Sequence, residues 1–261
     1  QDLLKVNREP ELVSGSNLIF TNCMTDFSKN KAALLSLQKP KAIIFDWDNT
    51  LVNTWPLIQS AIDTTMVSMG KEPWGLQRVK DNIHKSMRES FPEIFGDEWE
   101  KAGEIYKNSY RSINLKKLQF LPDALLLIDT IETAGILQFV ISNKMGPTLR
   151  KEAESLEVSQ KFFSLIGAGD AVADKPSRHP VELALIGSDL DPKKDHIWFV
   201  GDTVTDLECA YNSGCQPIII GVSDDVISKT IPEELMLGRD GSGVVPLYFN
   251  HKDLIAVIKN F

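Results

Sequence analysis

The chain has 261 residues, enough for one large domain or for a core with a smaller second unit. Its 43% hydrophobic and 25% charged residues fit a globular protein with a sizeable core, and a net charge of −8 argues against a nucleic-acid surface, which needs a basic patch. No apolar run approaches the roughly 18 residues of a membrane span, and the run Ser16–Phe20 is too short for the core of a signal peptide. The three cysteines, Cys23, Cys209 and Cys215, have neither disulfide-framework nor zinc-site spacing, so a reducing cytoplasm is the expected setting and packing their expected role.

The chain opens on Gln1, not Met, as a trimmed chain would. Residues 1–39 show no sustained period and are expected to form a loosely packed arm of unread role. From Lys41 short apolar runs without alternation mark buried strands at Ala42–Phe45, Leu137–Ile141, Ser164–Ala168, Ile197–Val200 and Pro217–Val222. Helical patterns fall between most of them: Asp123–Ala134 before Gly135, Thr148–Leu156 after Pro147, Val181–Ile186 before Gly187, and Thr205–Ser213 before Gly214. Alternating strands and helices predict an α/β fold, a Rossmann-like parallel sheet with helices on both faces.

Residues 54–120 break that rhythm. Asn53 or Thr54 is placed to cap a helix with Pro56 in its first turn, and Ile58, Ile62, Met66 and Met69 follow at helical spacing. Val79, Ile83, Met87 and Phe91 form a second stripe, and Trp99, Ala102, Ile105, Tyr106 and Ser109 a third. These stripes are read as packing, and the segment as a small all-helical unit inserted after the first strand. The expected division is an arm at 1–39, the first part of the core at 40–53, the helical insertion at 54–120 and the rest of the core at 121–261. The tail adds a glycine-rich turn at Gly238–Gly243, a strand candidate at Val244–Phe249 and a final helix.

Four polar groups stand at or just past strand ends: Asp46-Trp47-Asp48, Ser142-Asn143-Lys144, Lys175-Pro176, and Gly201-Asp202-Thr203-Val204-Thr205-Asp206. Ligands of an open parallel sheet bind at the carboxyl ends of its strands, so this placement gathers them on one rim. Asp46 and Asp48 share a face if the strand continues, and two carboxylates so close call for a cation or a proton.

The set DxDxT, a serine ending an apolar strand, Lys-Pro and GDxxxD, in that order, resembles the haloacid dehalogenase-like hydrolase superfamily. The helical insertion resembles its C1-type cap. "DWDNTLVNTWP", "ISNK" and "GDTVTDLECAYNSGC" are most similar to the phosphoglycolate phosphatase-like branch, and the resemblance spans about residues 41–222.

The resemblance implies a magnesium-dependent phosphatase acting on a small phosphorylated metabolite, with no nucleic-acid or membrane partner and no oligomeric state specified. It implies Asp46 as the nucleophile that forms an aspartyl-phosphate, and Asp48 as general acid and base. Magnesium would bind the carboxylates of Asp46 and Asp202 and the Asp48 carbonyl, with Asp206 bracing the site from behind. Ser142 and the backbone near Asn143 would bind phosphate, and Lys175 would offset charge on Asp46 and the transferring phosphoryl group. Arg88 in the helical insertion is a candidate for a substrate carboxylate. Two departures stand out. Asn49 sits where the family often has glycine, and Asn tolerates the positive φ such a turn needs; Lys175-Pro176-Ser177-Arg178 lacks the second proline often seen there. Asp48 argues against a haloacid dehalogenase, while a phosphomutase or phosphotransferase of this fold, or a non-catalytic partner-binding protein, stays open.

Overall fold

The computed structural model describes residues 38–83, 87–112, 115, 118–221 and 247–261. Residues 1–37 of the expected N-terminal arm and the Gly238–Gly243 turn lie outside the described residues. Six strands, β1 (Ala42–Phe45), β2 (Leu137–Met145), β3 (Ser164–Ala168), β4 (Ile197–Gly201), β5 (Gln216–Ile220) and β6 (Leu247–Phe249), form one sheet in the order β3-β2-β1-β4-β5-β6. Every neighbouring pair is parallel. The central strand β1 is buried on both faces, which is why it reads as an unbroken apolar run.

One face of the sheet presents Ala42, Ile44, Phe139, Ile141, Ile197 and Phe199, packed with Val181 and Ala184 of α7 (His179–Ala184) and with Cys209 and Ala210 of α8 (Val204–Ser213). Cys209 and Cys215 are free and buried in this cluster. Gln138, one residue out of phase with Phe139, instead donates to the Ile128 carbonyl of α5 (Ala124–Thr133) at 3.1 Å, so α5 covers the opposite face. On α6 (Gly146–Ser155), Leu149 and Ala153 are fully buried. The last helix, α9 (His251–Ile258), starts with Asn250 Oδ1 accepting from the Asp253 N–H at 2.9 Å.

Between β1 and α5 the described residues form four α-helices, α1 (Trp55–Ser68), α2 (Gly75–Asn82), α3 (Met87–Phe95) and α4 (Trp99–Ser112). The stripe Val79–Ile83–Met87–Phe91 does not lie on one helix: α2 ends at Asn82 and α3 begins at Met87, so its common spacing joins two short helices. The start of α1 also differs from the expected capping. Thr54 is the cap residue, but its hydroxyl makes no capping bond; the Asn49 side chain accepts from the Thr54 and Trp55 N–H groups at 3.2 and 3.3 Å. Asn49 itself has φ +63°, the left-handed conformation that Asn tolerates. No described helix is long and apolar enough to cross a membrane.

Candidate active site

The carboxyl ends of β1, β2 and β4 open on one side of the sheet, and the loop after β3 turns toward them. Asp46 follows β1 directly, its N–H bonded to the Val200 carbonyl of β4 at 2.8 Å. Just beyond it the chain turns sharply: the Val52 N–H reaches the Trp47 carbonyl at 3.1 Å, and the Asn49 N–H reaches the Val52 carbonyl at 2.7 Å. β2 runs past its expected end at Ile141, with an irregular register between Ile141 and Met145. Ser142, Asn143 and Lys144 therefore lie within that irregular stretch, and such bulges re-aim side chains.

Each of the two N-terminal aspartates meets its own ammonium. Lys175 Nζ lies 2.6 Å from Asp46 Oδ1 and 2.6 Å from Asp206 Oδ1, and all three groups are buried. Lys144 Nζ lies 2.5 Å from Asp48 Oδ1. The backbone of Lys175, just before the cis Lys175-Pro176 bond, is gripped on both sides by the Asn143 amide: Lys175 N–H to Oδ1 at 3.0 Å and Nδ2 to the Lys175 carbonyl at 3.1 Å. The Asn143 side chain is thus spent on placing the lysine. Ser142 Oγ is buried and accepts the Lys144 N–H at 3.2 Å.

Asp202 and Asp206 come from the β4–α8 junction. Asp206 Oδ2 accepts from the Thr203 N–H at 3.0 Å and the Thr203 hydroxyl at 2.6 Å, so the acid that caps α8 also holds Lys175. A Cβ on Gly201 would stand 2.3 Å from Asp206 Cγ, so only glycine lets this carboxylate fold back over the strand end. The Thr50 hydroxyl donates to Asp202 Oδ1 at 3.1 Å, while the Thr50 carbonyl meets His251 Nε2 at 2.8 Å.

Oxygens of Asp46, Asp202 and Asp206 lie within 4.8 Å of one another. Burial pushes the Asp46 carboxyl up from its ordinary 3.8 to about 7; Lys175 works against that rise, and Asp206 and Asp48 add to it. Burial, then Asp46 and Asp206, likewise raises Asp202 well above the usual carboxylate range. Burial also works against the Lys175 ammonium, but Asp206 and Asp46 outweigh it and raise its pKa. One lysine among three carboxylates leaves a deficit of positive charge. Asp206 uses both oxygens on Lys175 and Thr203, whereas among the described residues Asp46 and Asp202 each use one. The donors are all oxygen, which suits a hard divalent cation such as magnesium.

A cavity of about 170 Å³ lies over these groups. Its floor includes Asp46, Asp48, Ser142, Lys144, Lys175 and Asp202; its walls include Trp55, Ile58, Phe91 and Tyr106 from the inserted helices. A site of about 150 Å³ takes a benzene-sized guest, so this one suits a small molecule. Arg88 of α3 also lines it, half-exposed, with its Nε 3.8 Å from Asp174 Oδ2.

Sequence reasoning gave no role to Lys144, Glu152, Tyr110 or Trp47, which form one buried cluster. Glu152 Oε2 accepts from Lys144 Nζ at 2.7 Å and Trp47 Nε1 at 2.8 Å, and Oε1 accepts from the Tyr110 hydroxyl at 2.8 Å. Burial works against the Lys144 ammonium, but Asp48 and Glu152 outweigh it and its pKa is raised. The missed signal is Glu152 itself: it falls in the stripe Leu149–Glu152–Ala153–Leu156, where a solvated acid does not belong.

The family model for haloacid dehalogenase-like hydrolases matches residues 43–220. A phosphoglycolate phosphatase of Aquifex aeolicus is 27% identical over 215 residues, covering 81% of this chain and 98% of that protein. Among solved structures, a haloacid dehalogenase-superfamily hydrolase from Ehrlichia chaffeensis aligns with a TM-score of 0.56 at 27% identity, covering 86% of this chain and 98% of that one. A predicted phosphoglycolate phosphatase from Haemophilus somnus aligns with a TM-score of 0.68 at 18% identity, covering 85% and 99%, a likeness of fold. With the parallel sheet and the clustered aspartates, these matches establish that the chain belongs to the haloacid dehalogenase-like hydrolases, in their phosphoglycolate phosphatase-like branch.

Proposed function

We propose that this protein is a magnesium-dependent phosphatase that hydrolyses a small phosphomonoester, phosphoglycolate-like in size, through an aspartyl-phosphate on Asp46. The observation that carries the reading is the buried Asp46 carboxylate, held by Lys175 at 2.6 Å within oxygen-cluster distance of Asp202 and facing a small cavity.

A free Asp46 oxygen attacks phosphorus as the ester P–O bond breaks. Lys175 neutralises the charge that builds between them, and the Ser142 hydroxyl and nearby backbone N–H groups hold the phosphoryl oxygens. Asp48, paired to Lys144 through Oδ1, keeps Oδ2 for proton traffic. It protonates the departing alkoxide, then takes a proton from the water that opens the acyl phosphate and frees Asp46. Asp46, Asp202 and the Asp48 carbonyl would hold magnesium, which when bound supplies the missing positive charge beside the phosphoryl group. Asp206 holds Lys175 in place. The helices of residues 54–120 act as the cap that shields the acyl phosphate from stray water, and Arg88 on α3 reaches toward a substrate carboxylate.

The test is phosphate release from a panel of small phosphomonoesters with and without magnesium, comparing wild type with Asp46→Asn. Magnesium-dependent turnover that the variant loses is the expected result. No release from any ester, with a lasting phosphate on Asp46, would replace hydrolysis by phosphotransfer.

A further inference from the structure

Glu152 is fully buried on α6, where a carboxylate is costly unless every oxygen is paired. It is paired completely. Its partners are Lys144, Trp47 and Tyr110, and each leads to a different part of the proposed machinery. Trp47 is the residue between the two aspartates and is itself fully buried. Tyr110 belongs to α4, one of the inserted helices. Lys144 grips Asp48.

An ammonium has three N–H groups, and those of Lys144 have three acceptors: Asp48 Oδ1 at 2.5 Å, Glu152 Oε2 at 2.7 Å and the Tyr110 oxygen at 3.0 Å. The Tyr110 hydroxyl then donates to Glu152 Oε1, which closes a ring of Lys144, Tyr110 and Glu152. A lysine held only by Asp48 could swing with it, because an ammonium is a point charge on a flexible stem. In the closed ring it cannot. Asp48 therefore meets a fixed partner, and the backbone before it is fixed as well, through the Trp47 indole.

We infer that Glu152 is a positioning residue: through Lys144 and Trp47 it holds the Asp48 carboxylate in the orientation that proton transfer to the leaving group requires, and through Tyr110 it ties that orientation to the inserted helices. The inference rests on the phosphatase reading, in which Asp48 is the acid and base. It assigns a task to a charged cluster whose replacement by apolar packing would otherwise cost little.

The test compares two leaving groups. An alkyl phosphate, 2-phosphoglycolate or the best alkyl ester of the panel, needs a proton on its departing oxygen. p-Nitrophenyl phosphate does not. kcat/KM reports the step that expels the leaving group. Glu152→Gln preserves shape but turns one of the two accepting oxygens into an amide donor and removes the charge that fixes Lys144. General acid–base groups contribute about 10²–10⁴-fold, so a misdirected Asp48 should lower kcat/KM for the alkyl ester about tenfold or more and for the aryl ester less than about threefold. Purely structural damage would lower both alike. A ratio of the two losses above about threefold supports the inference; any smaller ratio, or no loss at all, overturns it. If Glu152→Gln does not fold, Tyr110→Phe removes one hydroxyl from the same ring and is judged by the same ratio. A wild-type protein inactive on every ester overturns the phosphatase reading and this inference with it, whereas an active wild type with equal losses overturns the inference alone.

Discussion

Without a divalent cation, the aspartate cluster should make the protein less stable as pH rises, and Asp46→Asn should abolish much of that loss. Burial raises the Asp46 carboxyl from 3.8 to about 7 in the folded protein. Between those values the folded chain binds more protons than the unfolded one, so stability falls with rising pH. The contribution is intact below about pH 4 and gone above about pH 7. At 1.36 kcal/mol per pKa unit the whole fall is about 4 kcal/mol. Asp202, raised by burial and then by Asp46, adds to it with the same sign. Other carboxylates act oppositely: at Asp170 burial works against the charge, but the Arg150 guanidinium and the Gly167 N–H together outweigh it and hold the acid below its usual range, so its stabilisation is lost as pH falls.

The quantity to follow is therefore the difference between wild type and Asp46→Asn, by urea unfolding in chelator at pH 4, 5, 6, 7 and 8. The two should be nearly equal at pH 4, where Asp46 is protonated and resembles Asn. At pH 8 the variant should be the more stable by up to about 4 kcal/mol. Magnesium at about a hundred times its Kd should return about 2.7 kcal/mol to the wild type and much less to the variant. A pH-independent difference, or a variant less stable than wild type at pH 8 in chelator, would refute the claim that uncompensated carboxylates strain this site.

Asp202→Asn should raise the magnesium concentration for half-maximal turnover by at least about tenfold and lower kcat; full activity at low magnesium would refute the metal assignment. Gly201→Ala pushes a methyl to 2.3 Å from Asp206 Cγ and so displaces Lys175, and kcat should drop on the order of a hundredfold while the protein still folds. Asn49→Ala should cost about 2–3 kcal/mol, from lost capping and the positive φ together, whereas Asn49→Gly should cost only about 1, in thermal or urea unfolding. Ile44→Ala, in the core of the central strand, should cost about 2–5 kcal/mol with no change in KM for the substrate.

The sheet was legible because buried parallel strands write themselves as apolar runs, and five such runs mark β1 to β5 within a few residues. Boundaries moved where a polar side chain did something other than end an element. β2 extends past Ile141 because its irregular register carries Ser142, Asn143 and Lys144 onward. α2 and α3 looked like one stripe because the apolar spacing continues through Ile83, whose backbone has left the helix. Of the expected tail strand Val244–Phe249, the described residues are Leu247–Phe249, and they form β6.

The site was legible in its residue types and, through the family resemblance, in setting Lys175 against the charge on Asp46, but not in the pair Lys144–Asp48. Two aspartates one residue apart call for a cation or a proton, and the motif by itself names no lysine for Asp48. The structure gives each carboxylate its own lysine, from positions 31 residues apart in sequence, Lys144 near the end of β2 and Lys175 in the loop after β3. Nothing local in the sequence pairs them. What decides it is that β2 and the loop after β3 both open at the carboxyl ends beside β1, and that a buried glutamate anchors one of the two lysines. A charge on an apolar stripe is costly enough that it must be paired, and the partner is found only once the helix carrying it is docked. Glu152 was therefore the position from which the cluster could have been suspected, and Asp48 the position at which its effect should be measured.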